Sequence, residues 1–194
     1  QLFGATVHWS EPELRNETVK KVAISLRTRG RTPYVIPIGG SNGIGAAAVR
    51  MLAEAGASVI IGYNQGEDRA RALLAELPGS AHGVQQLTLE DSASVVRAGE
   101  AIAAQFPALN VLVNSAGFTK PIPHDQLDAL DDAFLDTMLI ANVRGPFSVI
   151  RALAPALKAS GDGVIVNVSS VSAFTGAGSS IAYVASKAAI DGIS

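Results

Sequence analysis

An open α/β sheet, three-layered and Rossmann-like, doubly wound, mainly parallel and of about six strands, is the fold this sequence predicts. Three observations predict it. Short, near-continuous apolar runs alternate with amphipathic stretches along the chain, which is the pattern of strands buried on both faces by helices. One such run, residues 34–38, leads straight into Gly39-Gly40-Ser41-Asn42-Gly43-Ile44-Gly45 and then a small-residue stretch, an order of strand, glycine turn and helix. Finally, 194 residues with 48% hydrophobic content suffice for one buried core and are short for two. A single α/β domain over residues 1–194 is expected.

The elements follow in order. Residues 4–9 are a short apolar run with β-branched Thr6 and Val7, and Ser10-Glu11-Pro12-Glu13 is a capping-box pattern with proline in the first turn. A helix is expected there, with Leu14, Val19, Val22, Ala23 and Leu26 at helical spacing and Gly30 closing it. With the strand over 34–38, residues 4–38 read as a β-α-β unit. Beyond the glycine turn, a helix over 46–55 ends at Gly56 and a continuous apolar strand covers 57–63. A helix over 67–77 stops at Pro78-Gly79, a strand lies near 83–89, a helix follows over 91–105, and Val111-Leu112-Val113 is a short strand. Two helical stretches, 127–134 and 136–157, precede a strand over 163–168 and a last helix from Ile181.

Composition excludes several function classes. A net charge of −2 and a pI near 5.9, without any Lys/Arg run, leave no electrostatic footprint for nucleic acid or an anionic membrane. Zero cysteines remove disulfides, thiol catalysis and Cys-ligated metal, and a reducing cytoplasm is the expected location. No stretch reaches the ~18 consecutive apolar residues of a membrane span. His8, His82 and His124 are too scattered for a metal site, and Asp125, Asp128, Asp131 and Asp132 read as a solvated helix face.

The glycine turn carries the first chemical signal. A chain that must pass close to a pyrophosphate and aim free helix amides at it needs residues without a Cβ. Gly39, Gly43 and Gly45 supply them, with Ser41, Asn42 and Ile44 between. At the end of the next strand an acidic residue would accept from ribose hydroxyls and repel a 2′-phosphate. The segment here is Gly62-Tyr63-Asn64-Gln65-Gly66, with no acid before Glu67. The phosphorylated cofactor NADP is therefore the expected partner, NAD the weaker fit, and Asn64 and Asn42 the candidate contacts.

The second signal lies near the far end. Tyr183 and Lys187 are four apart in an expected helix and share a face. A tyrosine ionises near ~10, so it exchanges a proton at neutral pH only where an adjacent cation favours the phenolate. That pair alone is unspecific, but further patterns accompany it in order. Asn114-Ser115-Ala116-Gly117 follows a strand, Asn142, Gly145 and Phe147 lie mid-helix, and Asn167-Val168-Ser169-Ser170 ends a strand. Together, over residues 39–194, they resemble the short-chain dehydrogenase/reductase family, in particular members similar to 3-oxoacyl-(acyl-carrier-protein) reductase.

That resemblance implies hydride transfer between a nicotinamide cofactor and a small-molecule carbonyl compound or alcohol. It implies Tyr183 as general acid for reduction, Ser170 as hydrogen-bond donor to the carbonyl oxygen, and Lys187 as the cation beside Tyr183 that also binds the nicotinamide ribose. Asn142 would support a water linking the lysine to solvent. Asn114, Ala116 and Gly117 would lie along the adenosine ribose, and Ser169 is structural.

Three residues depart from the family pattern. Ile38 stands in place of a threonine that ties the loop to neighbouring strands, Thr88 in place of an aspartate that meets adenine, and Ser115 in place of a second asparagine. Weakened cofactor binding is the consequence expected. Residues 1–42 depart further. Gly4-Ala5 and the run from Arg29 to Asn42 resemble pyridoxal-phosphate enzymes of the D-cysteine desulfhydrase and aminocyclopropane-carboxylate deaminase type. The family pattern also continues beyond residue 194. The expectation is an engineered chimera, truncated at its C-terminus, with weak or no catalysis. An active NADP-dependent carbonyl reductase is the alternative, and a pyridoxal-phosphate enzyme a distant third. The strand over 4–9 is expected at the sheet edge beside the strand over 163–168, in its own chain or in a partner's, the latter making a homodimer.

Overall fold

The computed structural model describes the backbone of residues 3–7 and all of residues 32–194. The helix expected after Ser10 lies outside the described residues. A six-stranded sheet is built from β1 (Phe3–Val7), β2 (Tyr34–Ile38), β3 (Ser58–Tyr63), β4 (Gly83–Gln86), β5 (Val111–Asn114) and β6 (Val164–Val168). Its spatial order is β1-β6-β5-β2-β3-β4, and every neighbouring pair is parallel. The chain runs outward from β2 through β3 to β4, then restarts at β5 on the other side of β2. That reversal makes the carboxyl ends of β2 and β5 the topological switch point, where open α/β sheets bind ligands.

β1 takes the edge position expected of it, on β6 of its own chain, with Phe3 opposite Val164 and Val7 opposite Val168. The first strand in sequence is thus the outermost on its side, separated from β2 by β6 and β5.

The helices are α1 (Gly43–Glu54), α2 (Glu67–Glu76), α3 (Ser92–Gln105), α4 (Asp132–Leu139), α5 (Gly145–Ala159), α6 (Ser172–Thr175) and α7 (Ile181–Gly192). Successive residues of each strand point to opposite faces, so the sheet has a core on either side. Val35, Val59, Ile61 and Val113 pack with Val49 and Leu52 of α1 and Leu73 of α2. Ile36, Ile60, Leu112 and Ile165 pack with Ile102 of α3 and Val149 and Leu153 of α5. Each fully buried Leu or Ile contributes about 1.5–3 kcal/mol.

Boundaries differ from the expected ones where tertiary contacts intervene. α1 starts within the glycine turn, at Gly43 rather than residue 46. The strand expected over 83–89 ends at Gln86. The helix expected over 136–157 is divided into α4, a π-helical turn at Ile140–Arg144, and α5. Pro146 has no N–H to offer the carbonyl of Asn142, so the α-helical ladder is interrupted there. Asp131 is the N-cap of α4, accepting from the Phe134 amide at 2.7 Å. His82 is a strand-end residue: its Nδ1 accepts from Val59 N at 3.1 Å while its Nε2 meets Pro78 O at 2.9 Å.

Candidate active site

A cleft of about 520 Å³ opens at the switch point, lined by the glycine turn, the ends of β3 and β5, and the segment after β4. Gly39 and Gly43 adopt φ of +78° and +51°, the left-handed region that favours glycine. A Cβ at Gly43 would meet nothing within 4 Å, whereas one at Gly45 would strike Gly39 O and lie 2.6 Å from Ser115 Oγ. The turn is therefore open toward the cleft at Gly43 and packed hard against the sheet at Gly45. Asn42, the N-cap of α1, makes no side-chain cap bond, so the first amides of α1 keep their donors for a ligand. These features fit a dinucleotide pyrophosphate.

The loss expected from Ile38 is made good from the neighbouring strand. Ser115 donates its hydroxyl to Ile38 O at 2.7 Å and its amide to the same oxygen at 3.1 Å. Two departures from the family pattern thus meet, and the tie between the ends of β2 and β5 is retained. At the other rim, Thr88 donates its hydroxyl to Asn64 Oδ1 at 3.0 Å.

Of the expected cofactor residues, Gly39, Ser41, Asn42, Gly43, Ile44, Gly45, Asn64, Ala116 and Gly117 line the cleft. Asn114 does not. Its side chain is buried and donates to Asn167 Oδ1 at 2.8 Å, cross-linking the ends of β5 and β6.

Of the expected catalytic residues, Asn142 and Lys187 meet at Gly117, and Tyr183 lies beside Lys187. Lys187 is buried, and its Nζ donates to Val168 O at 2.8 Å and lies 5.7 Å from the centre of the Tyr183 ring. Burial pulls the lysine pKa below its ordinary value, and the nearby Asp191 carboxylate opposes that shift. A Cβ at Gly117 would stand 3.1 Å from Asn142 Oδ1 and 3.7 Å from Lys187 Nζ, so glycine admits both groups to one place.

Asn142 sits in the π-helical turn and is 1% exposed. Its Oδ1 accepts from Phe118 N at 3.0 Å, and its Nδ2 donates to Phe118 O at 2.9 Å and to Ser186 Oγ at 3.2 Å. Ser186 in turn donates to Tyr183 O at 2.8 Å. The asparagine therefore joins the loop after β5 to the turn of α7 that carries Tyr183. Ser170 is half-buried at the end of β6, its hydroxyl bonded to Ser172 Oγ at 3.2 Å and not to Tyr183.

Several site residues escaped the sequence. Ser186 was visible only as part of the Tyr183–Lys187 segment. Ser180 caps α7 by accepting from Tyr183 N at 3.3 Å; a serine just before an apolar helical run is the signal that points to it. Ser179, at φ +55°, bonds through its hydroxyl to Thr119 and through its carbonyl to Ile122 N, clamping the loop after β5 to the start of α7. No sequence pattern announces that clamp.

Known proteins are similar to this chain in sequence and in fold. A family profile described as short chain dehydrogenase matches residues 33–194, beginning ahead of β2 and so including a strand that the resemblance read from sequence had assigned elsewhere. The chain is 35% identical over 175 residues to D-threitol dehydrogenase of Mycolicibacterium smegmatis, covering 89% of this chain and 65% of that protein. It is 30% identical over 161 residues to 3-oxoacyl-(acyl-carrier-protein) reductase of Staphylococcus epidermidis, covering 80% and 63%. The chain thus spans just under two thirds of these curated relatives. A solved short-chain dehydrogenase/reductase from Burkholderia xenovorans superposes with a TM-score of 0.80 at 33% identity over 84% of this chain and 69% of that one. Gluconate 5-dehydrogenase from Burkholderia cenocepacia, solved with NADP and tartrate, superposes at 0.73 with 30% identity over 83% and 62%. With its glycine turn at the switch point, its Tyr183 and Lys187 on one helix face and this profile across the described core, the chain belongs to the short-chain dehydrogenase family.

Proposed function

We propose that this chain carries the site of an NADP-dependent oxidoreductase acting on a small carbonyl compound or the corresponding alcohol. One observation carries the reading: an open glycine turn and free helix amides lie in the same cleft as Gly117, against which Lys187 and Asn142 pack beside Tyr183. The nicotinamide supplies or accepts the hydride when bound. Gly39, Ser41, Asn42, Gly43, Ile44 and Gly45 would hold its pyrophosphate, with Asn64, Ala116 and Gly117 along the adenosine side. Tyr183 would give its proton to the carbonyl oxygen and Ser170 would donate a hydrogen bond to that oxygen. Lys187, held by Val168 O, would stabilise the phenolate that remains. Asn142 would position Tyr183 through Ser186. Asn114 would act on the cofactor only through the strand ends it joins.

We read residues 1–194 as one α/β unit that works in the cytoplasm. No helix among the described residues is long and apolar enough to cross a membrane. A second reading, a chimera with a retained nucleotide turn and little turnover, draws on β1, which lies outside the profile match and fills the sheet edge beside β6.

Titration with NADPH and NADH, followed by nicotinamide fluorescence and thermal stabilisation, tests the reading, with carbonyl reduction assayed next. Binding and turnover are expected, with Tyr183→Phe lowering the rate about 10²- to 10⁴-fold. A folded chain that binds neither dinucleotide at millimolar concentration overturns it, and binding with no turnover favours the chimera.

A further inference from the structure

Tyr183 is held on both sides of its backbone by serines. Ser180 Oγ accepts from Tyr183 N at 3.3 Å, and Ser186 Oγ donates to Tyr183 O at 2.8 Å. Each serine is tied in turn to the loop after β5. Ser186 reaches Phe118 through Asn142. Ser180 reaches the loop through its chain neighbour Ser179, whose hydroxyl bonds Thr119 Oγ1 and whose carbonyl accepts from Ile122 N at 2.9 Å. The tyrosine therefore stands between two fastenings, an inner one at Asn142 and an outer one at Ser179.

The outer fastening is stiff on both of its sides. In the loop, Ile122 lies between Pro121 and Pro123, which fix their own φ and carry no N–H. The backbone donor that remains over residues 121–123 is the N–H of Ile122, and it goes to Ser179. Ile122 itself is buried. Ahead of α7, Gly176, Gly178 and Ser179 have φ of +64°, +87° and +55°. Glycine takes that conformation freely, whereas serine does so at a cost that persists only where the surroundings over-determine it. What serine offers there and glycine does not is the hydroxyl that meets Thr119. The next residue, Ser180, is fully buried and caps α7, so the place of Ser179 sets where the first turn of α7 begins, with Tyr183 in it.

We propose that Ser179 is a positioning residue for Tyr183: with Thr119 and Ile122 it locks the first turn of α7 to the loop after β5 and so aims the phenol at the reacting oxygen. This assignment rests on the reading of Tyr183 as general acid and adds to it the part that aims the acid. A proton passes in the reacting complex only across about 2.6–3.2 Å between heavy atoms, and a misplacement of about 1 Å costs about a hundredfold in rate. A helix end tied at one point pivots about it. The tie at Ser179, on the opposite side of Tyr183 from Ser186, removes that freedom.

The test compares wild type, Ser179→Gly, Thr119→Val and Thr119→Ser by steady-state kinetics with NADPH and ethyl acetoacetate as the carbonyl probe. Thermal melts and hydrogen exchange of the peptides over 117–122 and 180–186 accompany the kinetics. Ser179→Gly relieves the left-handed serine, so its Tm should hold, while kcat falls about tenfold to hundredfold and KM for NADPH stays within about twofold of wild type. Thr119→Val should lose kcat in the same way, and Thr119→Ser, which keeps a hydroxyl, should rescue most of that loss. Exchange over 180–186 should quicken in Ser179→Gly. An unchanged kcat, a kcat that falls only as Tm falls, or a Thr119→Ser as slow as Thr119→Val overturns the assignment. If the wild type neither binds NADPH nor reduces the probe, the reading of Tyr183 as acid falls and hydrogen exchange decides the clamp by itself. Faster exchange over 180–186 in Ser179→Gly then upholds it, and unchanged exchange overturns it.

Discussion

The glycine turn after β2 and the Tyr183–Lys187 face of α7 are both needed for the proposed chemistry, and they are held in place by different means. The turn is shaped by backbone: positive φ at Gly39 and Gly43, and a contact at Gly45 that leaves no room for a side chain. The α7 face is held by buried side-chain hydrogen bonds, from Asn142 through Ser186 to Tyr183 and from Lys187 to Val168 O. The first region spans consecutive residues. The second draws on the loop after β5, the π-helical turn, β6 and α7. Substitutions should therefore damage the turn through steric overlap and the α7 face through orphaned polar groups.

The largest effect is expected at Asn142. Asn142→Ala leaves the Phe118 amide without its acceptor and Ser186 without its donor in a buried place, a loss of about 3 kcal/mol. That corresponds to a Tm lower by roughly 6–12 °C for a chain of this size. A calorimetric scan checks it, and a change under 2 °C would show that the α7 face does not depend on this strut. Gly45→Ala comes next, because its new methyl meets the Gly39 carbonyl and Ser115 Oγ. Overpacking of that kind costs about 1–3 kcal/mol, and dinucleotide affinity should fall along with stability in parallel titrations.

Lys187 offers a test in pH. Its folded pKa lies below the ordinary lysine value of 10.5 because of burial. Between those two values the unfolded chain binds the extra proton, so stability rises with pH across that window. The melting temperature of wild type relative to Lys187→Met should accordingly increase as pH approaches 10.5. A flat difference would mean that the lysine is not desolvated. The smallest effect belongs to Ser115→Ala, which removes one hydroxyl bond to Ile38 O. About 0.5–1.5 kcal/mol is expected in denaturant unfolding, with cofactor affinity weakened if the tie between β2 and β5 holds the turn.

Legibility followed the same division. The strands over 34–38, 57–63, 111–113 and 163–168 were readable because a strand buried on both faces is apolar throughout, and the glycine turn because its conformational demand falls on consecutive residues. Pro37 tested that limit: a proline usually marks an edge strand, yet β2 is central, flanked by β3 and β5. The division of α4 from α5 was not readable, since helical periodicity runs through residues 136–157 and the break arises where Pro146 withholds an N–H and Gly145 sits against Leu89. Nor was the exchange between Ile38 and Ser115, whose residues lie far apart in sequence.

By itself the sequence determined the α/β class, the number of strands, the glycine turn, and the pairing of Tyr183 with Lys187, since each of these depends on residues within one or two turns or one strand. Tertiary structure alone decided that β1 pairs with β6 of its own chain, that Asn114 faces Asn167 rather than the cleft, and that Asn142 and Lys187 meet at Gly117. Those outcomes depend on which edges and buried polar groups remain to be satisfied once the sheet has assembled, and no local pattern encodes the partner.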